Sequence, residues 1–171
     1  MAHLKAVDPQ HTVIMVQVEN EIGMLPEARD HSALAEKAFA AQKDTDEVFQ
    51  AKAFARYVNA EVKAGKAVYP LPMYVNAALN KAGKLPGQYP AGGPLPHLFD
   101  AWKSEAPALD FLAPDIYWPD FVAWTSLYAA KNPLFIPEGN HAGMPEAAGN
   151  AFYAIGEYGG KNGMLGFSPF A

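Results

Sequence analysis

With 171 residues, half of them hydrophobic, and a formal charge of −5 at pH 7, the chain is long enough for one domain with a real core. Its mild acidity and lack of any basic cluster argue against nucleic-acid binding, and no apolar run is long enough to span a bilayer. With no cysteine there are no disulfides or thiolate metal sites, and redox compartment is left open. Residues 1–9 have no signal-peptide core, and composition alone assigns no cellular location.

The apolar run Val13-Ile14-Met15 lies within a first strand expected over residues 12–20. A helix is expected around 31–41 and a stronger one over 45–63. In the second, Val48, Ala51, Ala55, Val58 and Val62 recur at three- and four-residue steps and form one apolar face. Asp44 or Thr45 can cap its start and Gly65 can end it. The second strand spans 68–76. Its regular pairing is expected to begin near Met73, because Pro70 and Pro72 have no N–H for a ladder. A Gly/Pro-rich loop over 80–94 leads to a helix at 97–105 and a third strand at 110–117. A helix at 120–130, a strand at 134–138, a helix at 146–158 and a strand at 164–167 complete the pattern.

Strands alternating with helices imply a parallel sheet covered by helices. An open doubly wound sheet and a (β/α)8 barrel both fit that rule. No glycine-rich phosphate fingerprint follows the first strand, which weakens the nucleotide-binding version. Polar residues gather instead at the carboxyl ends of the strands: Asn20-Glu21, Asn76, Asp115 with Tyr117, and Glu138. A barrel places its active site at that end. The expected fold is therefore α/β, a partial (β/α)8 TIM barrel. Five strand–helix units are recognisable where a closed barrel needs eight over roughly 250 residues. The expectation is a single, incomplete catalytic domain over 1–171 with about three units missing upstream. Exposed first and last strands would favour self-association.

Side chains alternate along a strand, so Gln17, Glu19 and Glu21 are expected on the inward face and Val16 and Val18 toward the helices. Glu138 ends the apolar run Leu134-Phe-Ile-Pro and lies 117 residues beyond Glu21, three strand-to-strand steps of roughly forty residues. Two strand-end glutamates suit glycosidic bond cleavage: one carboxylic acid protonates the leaving oxygen while the other carboxylate attacks the anomeric carbon. An ionised nucleophile also disfavours ionisation of its neighbour, which keeps the acid protonated. A lone strand-end glutamate is ordinarily a solvated loop residue or a helix N-terminal charge. The amide of Asn20 before Glu21, and the partner at Glu138, argue for chemistry. Glu19 is expected to be a structural inward carboxylate paired with a cation.

Asn76 is read as a sugar contact or a turn cap, and Tyr117 with Trp118 as a stacking platform or strand-end packing. His141 reaches the site or sits in an exposed loop. Trp102 and Trp124 fall on expected helices and are assigned to packing. The histidines lack ligand spacing, so no catalytic metal is expected, and no other cofactor. The long 80–94 loop is a candidate wall for the site. Ser32, Ser104, Ser126 and Ser168 lack the Gly-x-Ser-x-Gly elbow of a serine hydrolase.

Val16-Gln-Val-Glu-Asn-Glu-Ile-Gly23 resembles the acid/base strand of the family 35 β-galactosidases, in the glycosidase clan built on a (β/α)8 barrel. Ile136-Pro-Glu138 resembles the nucleophile strand of the same clan. Residues 86–94 (PGQYPAGGP), 113–117 (APDIY) and 166–170 (GFSPF) are similar to bacterial proteins of this type, and the likeness covers nearly the whole chain from about His11. The resemblance implies that the first strand here is barrel strand four and that Glu138 ends strand seven. It implies Glu21 as acid/base, Glu138 as nucleophile, Asn20 as a contact to the sugar 2-hydroxyl, and Tyr117 against the nucleophile or sugar. Ile22 stands where the family has tyrosine, a departure that bears on fine specificity. The implied activity is retaining hydrolysis of terminal β-galactosides or related β-glycosides, with a carbohydrate as the partner. A non-catalytic carbohydrate-binding or interaction fragment is the alternative.

Overall fold

The structure, a computed structural model, describes residues 1–117, 119–140, 143–160 and 163–170. Five strands form one parallel sheet: β1 (Val16–Gln17), β2 (Met73–Ala78), β3 (Phe111–Ile116), β4 (Leu134–Gly139) and β5 (Met164–Pro169). Their spatial order is β1-β2-β3-β4-β5, the order of the chain. Right-handed crossovers between strands laid down in one direction put every connecting helix on the same face. The sheet is therefore singly wound and curled into a half-barrel, not doubly wound.

The connecting helices are α2 (Ala33–Phe39), α3 (Asp46–Val68), α4 (Phe99–Glu105), α5 (Phe121–Ala129) and α6 (Pro145–Tyr158); a short helix, α1 (Ala2–Val7), precedes the sheet. Among the described residues no helix is long and apolar enough to cross a membrane.

Two apolar clusters follow from strand alternation. Met73, Val75, Ala77, Leu112, Ile116, Leu134 and Ile136 point to the helices and meet Val58, Val62, Phe99, Trp102 and Tyr128. The opposite face carries Tyr74, Phe111 and Ala113, with Met15 and Phe135 against them. Tyr74 stacks on Phe111 at 5.1 Å between centroids, and Phe135 meets both edge-on. These rings floor the concave side below the polar strand ends.

Most expected elements lie where the pattern put them, and regular pairing of the second strand does begin at Met73. Three features differ. The first strand pairs only at Val16 and Gln17, because Glu19 and Glu21 adopt positive φ (62° and 49°) and turn the chain out of the ladder. The helix expected to stop at Gly65 runs on to Val68. Gly65 is instead a close-packing point, where a Cβ would come within 2.7 Å of the Met73 methyl. The third is a bulge in β4. Ile136 pairs with Phe167 and Gly139 with Pro169, so β4 advances three residues while β5 advances two. The extra residue falls at Pro137-Glu138, where proline has no N–H to leave unpaired.

Candidate active site

The bulge decides where Glu138 points. Phe135 lies on the concave face, so strict alternation would send Glu138 toward the helices. The extra residue turns it back, and Glu138 pairs directly with the concave-facing Asp115 of β3. Tyr117, two residues beyond Asp115, donates its hydroxyl to Glu138 Oε2 at 2.7 Å. Gly139 follows because a Cβ there would sit 2.8 Å from the Phe167 ring.

Glu21 reaches the same concave end through an amide network. Its backbone N–H donates to Asn76 Oδ1 at 2.9 Å. Asn76 Nδ2 donates to Asn20 Oδ1 at 3.1 Å and to Asp115 Oδ2 at 2.6 Å. Gln17 donates from Nε2 to Asn20 Oδ1 at 2.9 Å, and its Oε1 accepts from the Tyr74 hydroxyl at 3.0 Å. Asn76 is fully buried with both amide hydrogens committed. It orients Glu21, Asn20 and Asp115 and presents no free donor to a ligand. Asn20 is exposed, and its amide oxygen is held by two donors. Glu19 departs from its expected inward position: its carboxylate accepts from Tyr57 of α3 at 3.2 Å, on the helix side. That partner is a phenol rather than a cation. Trp118 and His141 lie outside the described residues.

Asp115 is the member of the site that sequence reasoning left out of the chemistry. It is 2% exposed, and among the described residues its buried Oδ1 has no hydrogen-bond partner. Burial, then the charges of Glu138 and Glu21, push its carboxyl up from 3.8 to about 8, against the opposing Asn76 bond. At neutral pH Asp115 is therefore a neutral acid between two glutamates. The signal in the sequence was an acid inside the otherwise apolar strand Phe-Leu-Ala-Pro-Asp-Ile. The same negative field reaches the phenols. Burial, then the Asp115 and Glu138 charges, push Tyr74 up to about 12, and burial and the Glu138 bond raise Tyr117.

A raised native pKa means that the folded chain binds this proton more tightly than the unfolded chain does. The stability Asp115 contributes is fully present below 3.8 and is lost as pH rises through about 8. Asp115→Asn has no such dependence. Its stability relative to the unsubstituted chain should therefore climb between pH 5 and pH 8, by at most about 1.4 kcal/mol per pH unit. Denaturant unfolding at those two pH values measures this, and parallel pH curves would refute it.

Two cavities open on either side of Tyr117. One, of about 240 Å³, is lined by Glu21, Asp115 and Tyr117 together with Leu79, Gln88 and Tyr89. The other, of about 400 Å³, is bordered by Tyr117, Asp120, Phe121, Asn140, Glu146 and Asn150. The loop expected to wall the site does so for the first cavity. It is pinned from three helices. Trp102 Nε1 of α4 donates to the Gly92 and Gly93 carbonyls at 3.1 and 2.9 Å. Tyr128 of α5 donates to the Pro94 carbonyl at 2.9 Å. Glu47 of α3 accepts from the Gly92 N–H and pairs with His97 at 2.9 Å. Burial pushes the Glu47 carboxyl up, but His97, Tyr89 and the Gly92 N–H outweigh it and hold it below the ordinary glutamate value. Gly92 has a φ of +76° and leaves no room for a Cβ against Gln50. The loop then pairs with the segment after Glu21 through Met24 and Ala91.

The arrangement joins a glutamate lining a cavity, a second glutamate held by a phenol, and a neutral acid paired with the second and tied to the first through Asn76. Such a set can donate a proton at one point and supply a carboxylate at another. In comparisons with known proteins, no family model matches the chain and no curated protein matches it.

Proposed function

We propose that the half-barrel is part of a (β/α)8 barrel, strands four to eight, and that the chain belongs to a retaining glycoside hydrolase acting on terminal β-galactosides or related β-glycosides. The observation that carries the proposal is the convergence of Glu21 and Glu138 on one buried acid. They come from the segment after β1 and from the end of β4, 117 residues apart in the chain; Glu138 pairs with Asp115 and accepts from Tyr117, and Asn76 ties the Glu21 N–H to the Asp115 carboxyl. Glu138, fixed by Tyr117, is the nucleophile. Glu21, on the cavity walled by the 80–94 loop, is the acid/base. The consecutive strand order, the single helix-covered face and the carboxylates at the carboxyl ends of the strands all support the barrel reading.

In this mechanism Glu138 attacks the anomeric carbon while Glu21 protonates the departing oxygen, and water then releases the sugar with Glu21 as base. The floor of aromatic rings below the carboxylates keeps that end of the site apolar. The test is incubation of the full chain with an aryl β-galactoside, with the anomeric configuration of the first sugar released followed by proton NMR. The β-anomer is expected first. Release of the α-anomer would overturn retention, and binding without turnover would favour the carbohydrate-binding reading.

A further inference from the structure

We propose that the cavity beside Glu21 is the leaving-group site, shaped for a single sugar ring, and that Gln88 and Leu25 select that ring. The inference rests on the reading of Glu21 as acid/base and Glu138 as nucleophile, and it names what the glycosidic oxygen carries away. A nucleophile acts at the anomeric carbon and an acid at the departing oxygen, so the group beyond that oxygen lies on the acid's side. Among the described residues, Glu21 lines the cavity of about 240 Å³ and Glu138 does not. That space therefore receives the part of the substrate that leaves.

Its walls match the two surfaces of a sugar ring, an apolar C–H face and a rim of hydroxyls. Leu79 and Tyr89, both nearly buried, close the cavity on the inside. Leu25 stands 56% exposed on its lip and, with Pro90, offers apolar surface to a ring face. Gln88 supplies the polar edge from an exposed position. Its amide oxygen accepts from the Leu85 N–H at 3.0 Å, which leaves the Nε2 hydrogens as the side that can meet a ligand. A ring hydroxyl accepts from such an amide, and a bare alkyl group does not. Ligand cavities commonly start near about 300 Å³, so this one has room for one ring rather than two.

The cavity is also built in advance of its ligand. The 80–94 loop and the segment after Glu21 touch backbone to backbone. A Cβ on Gly23 would collide with Pro90, and one on Gly93 would sit 2.7 Å from the Ile22 carbonyl. The Met24–Ala91 bridge joins the same two segments. Wall and acid/base thus form one unit, and a ring seated against the wall is held in register with Glu21 at little cost in ordering.

The test uses the full chain and three substrates: methyl β-galactoside, a β-galactosyl glucose in the linkage cleaved fastest, and the trisaccharide that extends this glucose by one sugar. kcat/KM for the disaccharide should exceed that for the methyl galactoside by about tenfold or more, since only the disaccharide fills the site. The trisaccharide should match the disaccharide within about threefold. In Gln88→Ala the disaccharide-to-methyl ratio should fall by about tenfold, the size of one hydrogen bond. In Leu25→Ala it should fall by about threefold, from lost apolar contact. Both side chains are exposed, so neither substitution opens the core. A disaccharide no better than the methyl galactoside, an unmoved ratio in either variant, or a further tenfold gain with the trisaccharide would overturn the proposal while the glycosidase reading stands. Absence of hydrolysis of every galactoside, aryl ones included, would instead remove that reading, and the leaving-group site with it.

Discussion

Glu138→Gln is expected to lower hydrolysis of an aryl β-galactoside by about 10⁴-fold or more, whatever the leaving group, a barrier increase of about 5 kcal/mol. The amide cannot attack the anomeric carbon, yet it keeps the size of the side chain and can still accept from Tyr117. Glu21→Gln should behave differently. A missing general acid costs roughly 10²–10⁴-fold when the leaving oxygen needs a proton and much less when it does not. A dinitrophenyl galactoside should therefore still form the covalent sugar–enzyme ester in Glu21→Gln but not in Glu138→Gln. Steady-state rates on both substrates, with pre-steady-state release of the phenol, separate the two roles. Identical behaviour of the two variants would contradict the division of labour.

The largest effect on stability is expected at Trp102. Its side chain is fully buried, and its indole N–H holds two carbonyls of the loop that walls the site. Trp102→Ala removes a large apolar side chain, leaves a cavity and orphans those carbonyls, a cost of about 3–5 kcal/mol. Against a typical domain stability of about 5–15 kcal/mol, that is a large fraction. Trp102→Phe keeps much of the apolar contact and should cost less, yet it still frees the 92–93 backbone. Denaturant midpoints give the stability change. A raised KM in Trp102→Phe at little changed kcat would show that the loop acts through binding. An Ala variant with an unchanged midpoint would contradict the packing role.

Much of the fold was legible because its signals are local. The apolar face of α3 at Ala51, Ala55, Val58 and Val62 is a three- and four-residue repeat, and all four are buried. Pro70 and Pro72 correctly deferred the second strand to Met73, since neither can donate to a ladder. What escaped was decided by tertiary contact. Alternation put Glu19 inward, but its positive φ and the Tyr57 hydroxyl took it to the helix side. Gly65 has the composition of a helix stop, but close packing on Met73 is what it serves. The bulge at Pro137-Glu138 has no signature beyond the proline, yet it alone brings Glu138 to the concave face.

The site shows the same division. Strand-end position and the Asn-Glu pair marked Glu21, and the apolar run before it marked Glu138. Asn76 was weighed as a ligand contact, but complete burial and a committed amide make it a brace. Asp115 was visible as a polar strand end. Its chemical weight depends on three chain segments meeting around it, which no single stretch of sequence displays.

The central claim is that Glu138 attacks sugar carbon from the end of a bulged strand. Incubation of the full chain with a 2-deoxy-2-fluoro β-galactoside bearing a dinitrophenyl leaving group tests it most directly. The fluorine slows release of the covalent ester, so intact mass should rise by one fluorosugar, and peptide mapping should place it on Glu138. A chain that turns over β-galactosides yet takes up no label, or carries it on another residue, would contradict the account.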